Sequence, residues 1–181
     1  MNEREFADLK MKAADAMLQI GRCYETGDGV GKDEAEAVKW YRMAAKQGSA
    51  QSMIELGKCY TFGIGVRKNR AMVFKCLRQA AEHGHVKAMI LLGKRYLSEY
   101  NAEYAPREGI KWLRRAADRG DAWAMFELGE CYENGIGVKK DSDAAYLCFC
   151  RAALAAPEDE LLYQMVQNRI FEPKLKEVLG K

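Results

Sequence analysis

The sequence predicts an all-α fold, an α-solenoid of antiparallel helix pairs stacked with a 36-residue period. Three observations carry this. Met17, Met53, Met89 and Met125 stand 36 residues apart, as do Gly21, Gly57, Gly93 and Gly129, and Tyr24, Tyr60, Tyr96 and Tyr132. An Ala-Ala pair recurs in phase at Ala44/Ala45, Ala80/Ala81, Ala116/Ala117 and Ala152/Ala153. No insertion interrupts the phase, so one unit is written four times. A unit of this size cannot bury its apolar face alone and must stack on its neighbours. Such a stack presents surfaces, which points to a binding scaffold rather than a catalyst.

The organisation reads as an N-terminal capping segment at 1–12, four repeats over 13–156 (about 16–51, 52–87, 88–123 and 124–157), and C-terminal capping helices at 158–181. Residues Glu3 to Lys12 form either a lone capping helix or an extension of the first repeat helix. In the first repeat, Ala16, Met17, Ile20, Cys23 and Tyr24 recur at helical spacing. Gly27 stands where a left-handed C-terminal cap belongs, a backbone that costs glycine nothing. Gly29 turns the chain and Val30 is expected to tuck under the helices. Asp33 is a helix N-cap, with Glu36 in capping-box position. The second helix runs to about Gln47 with Ala37, Trp40, Tyr41, Ala44 and Ala45 inward, and Gly48 ends it. Gly21 and the Ala pair let the two helices approach, while Tyr24, Trp40 and Tyr41 fill the space between pairs. A large residue at Gly57 is therefore expected to force the helices apart.

The third repeat departs from the pattern. Glu99-Tyr100-Asn101-Ala102 replaces Gly-x-Gly-Val, and the capping position is Ala105, followed by Pro106 at the first helical position. Its loop, with Tyr100, Asn101, Glu103 and Tyr104, reads either as a recognition loop or as drift in a tolerant turn. After Pro157, Glu158 to Arg169 reads as a helix with Leu161, Leu162, Met165 and Val166 on one side; Pro173 opens a last short helix with Leu175, Val178 and Leu179.

Nearly half of the 181 residues, 49%, are hydrophobic, enough for a sizeable core. Net charge is +3, without the basic excess of a nucleic-acid binder. No apolar run reaches membrane-span length, and the N-terminus lacks a secretory apolar stretch, so the chain as given reads as cytoplasmic. Cys23, Cys59 and Cys131 share one repeat position, and Cys76 and Cys148 another that holds Trp40 and Trp112 elsewhere. These five read as buried free cysteines. Cys150 stands where the other repeats have Arg42, Arg78 and Arg114, so it is expected to face solvent, as an incidental thiol or a reactive one.

Little else carries chemistry. Gly27-Asp28-Gly29-Val30-Gly31-Lys32 lacks the spacing of a phosphate loop and follows a helix rather than a strand. His83 and His85 flank Gly84, too few ligands for a metal site, and no histidine stands as general base for a nucleophile. No catalytic residue, metal ligand or cofactor is assigned. Acids such as Glu34 and Glu36 belong to a helix first turn.

The pattern Ala-x-x-x-Leu-Gly-x-x-Tyr-x-x-Gly-x-Gly-Val-x-x-Asp followed by Ala-x-x-Trp-Tyr-x-x-Ala-Ala-x-x-Gly resembles the Sel-1-like repeat of the tetratricopeptide-like superfamily. It fits Ala16 to Gly48 with Ile20 in place of Leu, and fits Leu56 to Val66 and Leu128 to Val138 directly. The resemblance covers residues 13 to 156. It implies a right-handed superhelix of helix pairs and a role as an adaptor between proteins. One cysteine-rich branch of the family is linked to penicillin binding and β-lactamase activity. Its staples would need cysteines at Ala45 and Met53, Ala81 and Met89, or Ala117 and Met125, so the hydrolase reading is kept only as an alternative, beside a thiol-reactive Cys150.

The resemblance also implies that the first helix of each pair lines a concave face. Four columns map there: Asp15, Gln51, Lys87 and Trp123; Leu18, Ile54, Ile90 and Phe126; Arg22, Lys58, Lys94 and Glu130; Glu25, Thr61, Leu97 and Glu133. On one reading an apolar ladder runs beside three aligned cations, a groove for a peptide with an acidic segment or a C-terminal carboxylate. On the other the ladder is ordinary packing and the cations are a solvated face. Trp123 stands where the other repeats are polar and reads as an interface anchor. The expected partner-binding residues are Leu18, Arg22, Ile54, Lys58, Ile90, Lys94, Trp123 and Phe126.

Overall fold

The computed structural model describes residues 3–99 and 104–179. The described residues form nine helices and no strand: α1 (Glu3–Thr26), α2 (Glu34–Lys46), α3 (Ala50–Phe62), α4 (Arg70–Glu82), α5 (Val86–Leu97), α6 (Pro106–Ala117), α7 (Ala122–Asn134), α8 (Ser142–Ala155) and α9 (Glu160–Leu179). They fall into two compact units, Met1–Ala88 and Met89–Lys181. In the first, α1 pairs with α2 and α3 with α4, and α2 packs on α3. In the second, α6 packs on α7, α7 pairs with α8, and α8 packs on α9.

Each hairpin is closed by local polar groups. The side chains of Asp33, Asn69 and Asp141 cap α2, α4 and α8, accepting from the N–H of Glu36, Met72 and Ala144 at 2.9, 3.1 and 2.9 Å. Ala105 has no side chain to cap α6, and Pro106 opens that helix. A backbone tie recurs in all four repeats. The N–H groups of Asp33, Asn69, Ala105 and Asp141 donate to the carbonyls of Tyr24, Tyr60, Tyr96 and Tyr132 at 2.8, 3.0, 2.9 and 3.0 Å. Because it uses main chain only, the third repeat keeps it despite its changed loop. The tie also takes the donor that a capping box would use. Glu36 turns outward to Lys39 Nζ at 2.6 Å, so the box expected at Asp33 does not close.

The first helices lie against the second through small residues. A Cβ on Gly21 or Gly129 would meet the rings of Tyr41 and Phe149 at 2.5 Å, and one on Gly93 would meet Leu113 at 2.9 Å. Gly57 is roomier: its added Cβ would meet only Cys76, at 3.8 Å. Tyr41, Leu77, Leu113 and Phe149 share one repeat position, and all four are buried.

Successive hairpins within a unit meet at the turns. Gly65, at φ 63°, lies so close to the start of α2 that a Cβ would fall on the Glu34 carbonyl group. Gly137 approaches Pro106 in the same way, with Pro106 backbone atoms 2.7–2.8 Å from the added Cβ. A Cβ on Gly29 would meet nothing within 4 Å among the described residues. Val30 is accordingly 40% exposed rather than tucked under the helices, and Ile20 is 37% exposed where Leu56, Leu92 and Leu128 are buried. Ala16 also faces out.

The ends differ from a simple reading of the sequence in two places. Residues from Glu3 onward extend α1 as one helix rather than forming a separate cap. A single α9 runs from Glu160 to Leu179 in place of two helices, its backbone passing through Pro173. Proline in a helix interior removes one backbone hydrogen bond but does not always end the helix. Tyr100, Asn101 and Glu103 of the third-repeat loop lie outside the described residues; Tyr104 is exposed.

Candidate functional site

The first helices carry the columns singled out in the sequence, and the structure separates them. Leu18, Ile54 and Phe126 are buried, at 5, 4 and 2% exposure, and Ile90 is half-buried. Phe126 packs between Trp123 (6.3 Å between ring centroids) and Phe149 (5.3 Å). The expected apolar ladder is therefore core at these three places, because helix-to-helix packing within the hairpins consumes that face.

Trp123 is half-buried and tied down. Its indole Nε1 donates to Asp159 Oδ2 at 3.0 Å, and Asp159 Oδ1 accepts from the Leu162 N–H at 2.9 Å, capping α9. What read as an exposed anchor joins α7 to the start of the last helix.

The cations do not stand alone either. Arg22 Nη2 lies 3.4 Å from Glu55 Oε1, and Lys58 Nζ lies 2.7 Å from Glu55 Oε2. Gln51 Nε2 donates to Glu55 Oε1 at 2.8 Å. Glu55 is buried at 7% exposure. Burial pushes its carboxyl up, but the bonds from Lys58 and Gln51 and the nearby positive charge outweigh that, and its pKa lies below the ordinary value. In the second unit Lys94 pairs with Glu127. Where the column changes sign to Glu130, the partner changes too: Arg169 of α9 reaches Glu130 at 2.8 Å and Glu133 at 3.1 Å. The acids Glu55 and Glu127 were not singled out in the sequence. The signal was present, since Arg22 to Glu55 and Lys94 to Glu127 are both 33 residues apart.

These networks leave a difference in charge. Arg22 and Lys58 set two cations against one buried carboxylate, and their side chains remain 43% and 55% exposed. Lys94 faces Glu127 one to one. Arg169 faces two carboxylates.

The other named groups are unequal. All six cysteines are free. Cys59, Cys76 and Cys131 are buried, whereas Cys23 and Cys148, expected in the core, are half-buried. Burial, with the charge of neighbouring carboxylates, pushes the Cys59 thiol up to about 11 and that of Cys131 up to about 12. Cys150, expected on the surface, is half-buried. Tyr41 donates its hydroxyl hydrogen to Glu25, and burial together with that carboxylate raises its pKa. Among the described residues, no three His, Cys, Asp or Glu side chains are grouped to hold a metal ion. No helix among them is long and apolar enough to cross a membrane.

The family model of the Sel1 repeat matches residues 14–49, 50–85, 86–121 and 124–156. Among solved structures, a Sel1 repeat protein from Oxalobacter formigenes is 36% identical, with a TM-score of 0.74 over 79% of this chain and 59% of that one. The protein c5321, a protective antigen of uropathogenic Escherichia coli with an SLR fold, is 33% identical, with a TM-score of 0.72 over 78% of this chain and 30% of that one. This chain thus spans less than two thirds of the length of either. Cysteine rich protein B of Helicobacter pylori shares the fold at 20% identity, with a TM-score of 0.55 over 74% of this chain and 95% of that one. No curated protein matches the chain.

Proposed function

The chain belongs to the Sel1 repeat family, whose members are generally protein-interaction scaffolds, and on that premise we propose that it is a non-enzymatic adaptor holding a protein segment against the first helices of its pairs. The observation that favours this reading is the Arg22–Glu55–Lys58 cluster. A buried carboxylate fixes two cationic heads that stay about half exposed. Positioned cations of this kind suit an aspartate or glutamate side chain, or a C-terminal carboxylate, of a partner. Orientation is already set by Glu55 and Gln51, so little side-chain freedom is lost on binding. Lys94 has a carboxylate of its own, so recognition rests on the first unit rather than on three equal cations.

Affinity capture from the native cell extract tests this. Lys58→Glu is expected to lose the captured protein while far-UV circular dichroism is unchanged, and Lys94→Glu is expected to retain it. Equal capture by wild type and Lys58→Glu overturns the assignment.

A further inference from the structure

A second cationic place lies on the opposite side of α3, where α2 and α4 face one another. The cleft between them has a volume of about 230 Å³. Leu56 and Tyr60 of α3 form its floor, with Met72 and the buried Cys76 of α4 on one wall. Arg42 and Lys46 of α2 and Lys75 of α4 stand at its rim, and no carboxylate lines it. Arg42 is held in place by a neutral partner: its Nη2 donates to the Tyr60 hydroxyl at 2.8 Å, and its guanidinium lies 6.0 Å from the centre of that ring.

The repeat frame shows what is special here. Each second helix of the first three repeats carries Lys-x-x-Arg outward: Lys39 and Arg42, Lys75 and Arg78, Lys111 and Arg114. Lys39 is paired with Glu36 at 2.6 Å and Lys111 with Glu108 at 2.5 Å, each three residues earlier. In α4 that earlier place is Met72. Lys75 has no carboxylate partner among the described residues, and the methionine that replaces the acid lines the cleft instead. One substitution thus releases a cation and adds apolar wall at the same spot. In α8 the corresponding places are Leu147 and Cys150, so the basic pair is absent there.

We propose that this cleft docks an acidic protein segment, with a carboxylate among Arg42, Lys46 and Lys75 and an adjoining apolar side chain against Leu56, Met72 and Cys76. Charge complementarity argues for the acid, and the apolar floor argues for a neighbouring leucine- or phenylalanine-like side chain. The volume lies below the ~300–1,000 Å³ of a small-molecule pocket, which favours a side chain of a larger ligand over a free metabolite. This site does not rest on the Arg22–Glu55–Lys58 cluster, which α3 turns to its other side.

The test uses the full chain and fluorescein-labelled peptides read by anisotropy: an acidic peptide with a central leucine, the same peptide with serine for leucine, and one with lysine for every acid. The leucine peptide is expected to bind and the lysine peptide not. Lys75→Glu is expected to weaken binding by about tenfold, and the serine peptide to bind more weakly than the leucine peptide. Lys111→Glu, in the same column but already paired, is expected to leave affinity within about twofold. Lys58→Glu is expected to do the same, so loss here and loss of the first proposed site are told apart. Failure of the leucine peptide to bind the wild type, or equal binding by wild type and Lys75→Glu, overturns the proposal. So does stronger binding of inorganic phosphate than of the peptide in competition, which would make the cleft an oxyanion site.

Discussion

Trp123 and Asp159 stand one repeat period apart and are joined by a hydrogen bond of 3.0 Å from the indole nitrogen to the carboxylate. The other oxygen of that carboxylate caps α9. Removing Asp159 therefore takes away a cap and leaves a half-buried donor without its acceptor. Asp159→Ala is expected to cost about 1–2 kcal/mol, more than a cap alone. Trp123→Phe keeps the edge contact to Phe126 and is expected to cost about 1 kcal/mol. Amide hydrogen exchange in the first turn of α9 checks both, and protection unchanged by Asp159→Ala would refute the link.

Glu55 makes the first unit sensitive to acid. Its folded pKa is lowered, because the bonds from Lys58 and Gln51 and the adjacent positive charge overcome its burial. A depressed folded pKa stabilises above the unfolded value, near ~4.3 for glutamate, and that contribution drains as pH falls through the lower folded value. The urea midpoint of the wild type is expected to drop on acidification below about pH 4, and Glu55→Gln is expected to flatten that part of the profile. Parallel profiles for the two proteins would show that the cluster contributes no such linkage.

Two glycines at the same repeat position are expected to respond differently. An alanine methyl at Gly129 would strike the Phe149 ring, whereas at Gly57 it would rest at ordinary contact distance from Cys76. Gly57→Ala is expected to be neutral or stabilising by up to about 1 kcal/mol, since alanine is the better helix former. Gly129→Ala is expected to destabilise by ~1–3 kcal/mol through overpacking. Thermal melting of the two variants decides this, and a loss at Gly57→Ala as large as at Gly129→Ala would count against it. A leucine at Gly57 is a different matter, too large for the gap left by Cys76.

The thiols are expected to divide by burial. Cys59 and Cys131, with pKa values pushed up to about 11 and about 12, should resist iodoacetamide at neutral pH until the chain unfolds. Mass spectrometry of the native protein after brief alkylation is expected to find label first among the half-buried Cys23, Cys148 and Cys150. A Cys150 that reacts faster than a free thiol would instead support the thiol-reactive alternative.

The turns offer a further comparison. Gly29 and Gly65 share a left-handed backbone, at φ 72° and 63°, but only Gly65 lies against another hairpin. Gly29→Ala is expected to cost about 1–2 kcal/mol from backbone strain alone. Gly65→Ala adds a collision with the α2 main chain and should cost clearly more. Equal shifts in the urea midpoint would refute the contact.

What could be read from the sequence was what repeats. The cap at Asp33, the Pro106 start and the small residues at Gly21 and Ala44 are local rules applied in phase. Side-chain partners were harder. Leu18, Ile54 and Phe126 match a groove column and a core column equally well, and only packing of the hairpins decides for core. Arg22 and Lys58 looked like free cations because the carboxylate that holds them sits on a neighbouring column. Trp123 departs from its polar equivalents for Asp159, the residue that caps α9, beyond the four repeats. Val30 fits the pattern and is nevertheless exposed, which no residue within its own repeat records.

At Gly65 and Gly137 adjoining hairpins touch main chain to main chain. Alignment of those neighbours is thus assigned in part to positions without side chains, and Lys39 and Lys111, each paired within its own helix, take no part in it. Lys39 and Lys111 can give way to Leu147 at the same place without disturbing how one hairpin sits on the next. A protein built this way can change what it recognises while its assembly stays the same.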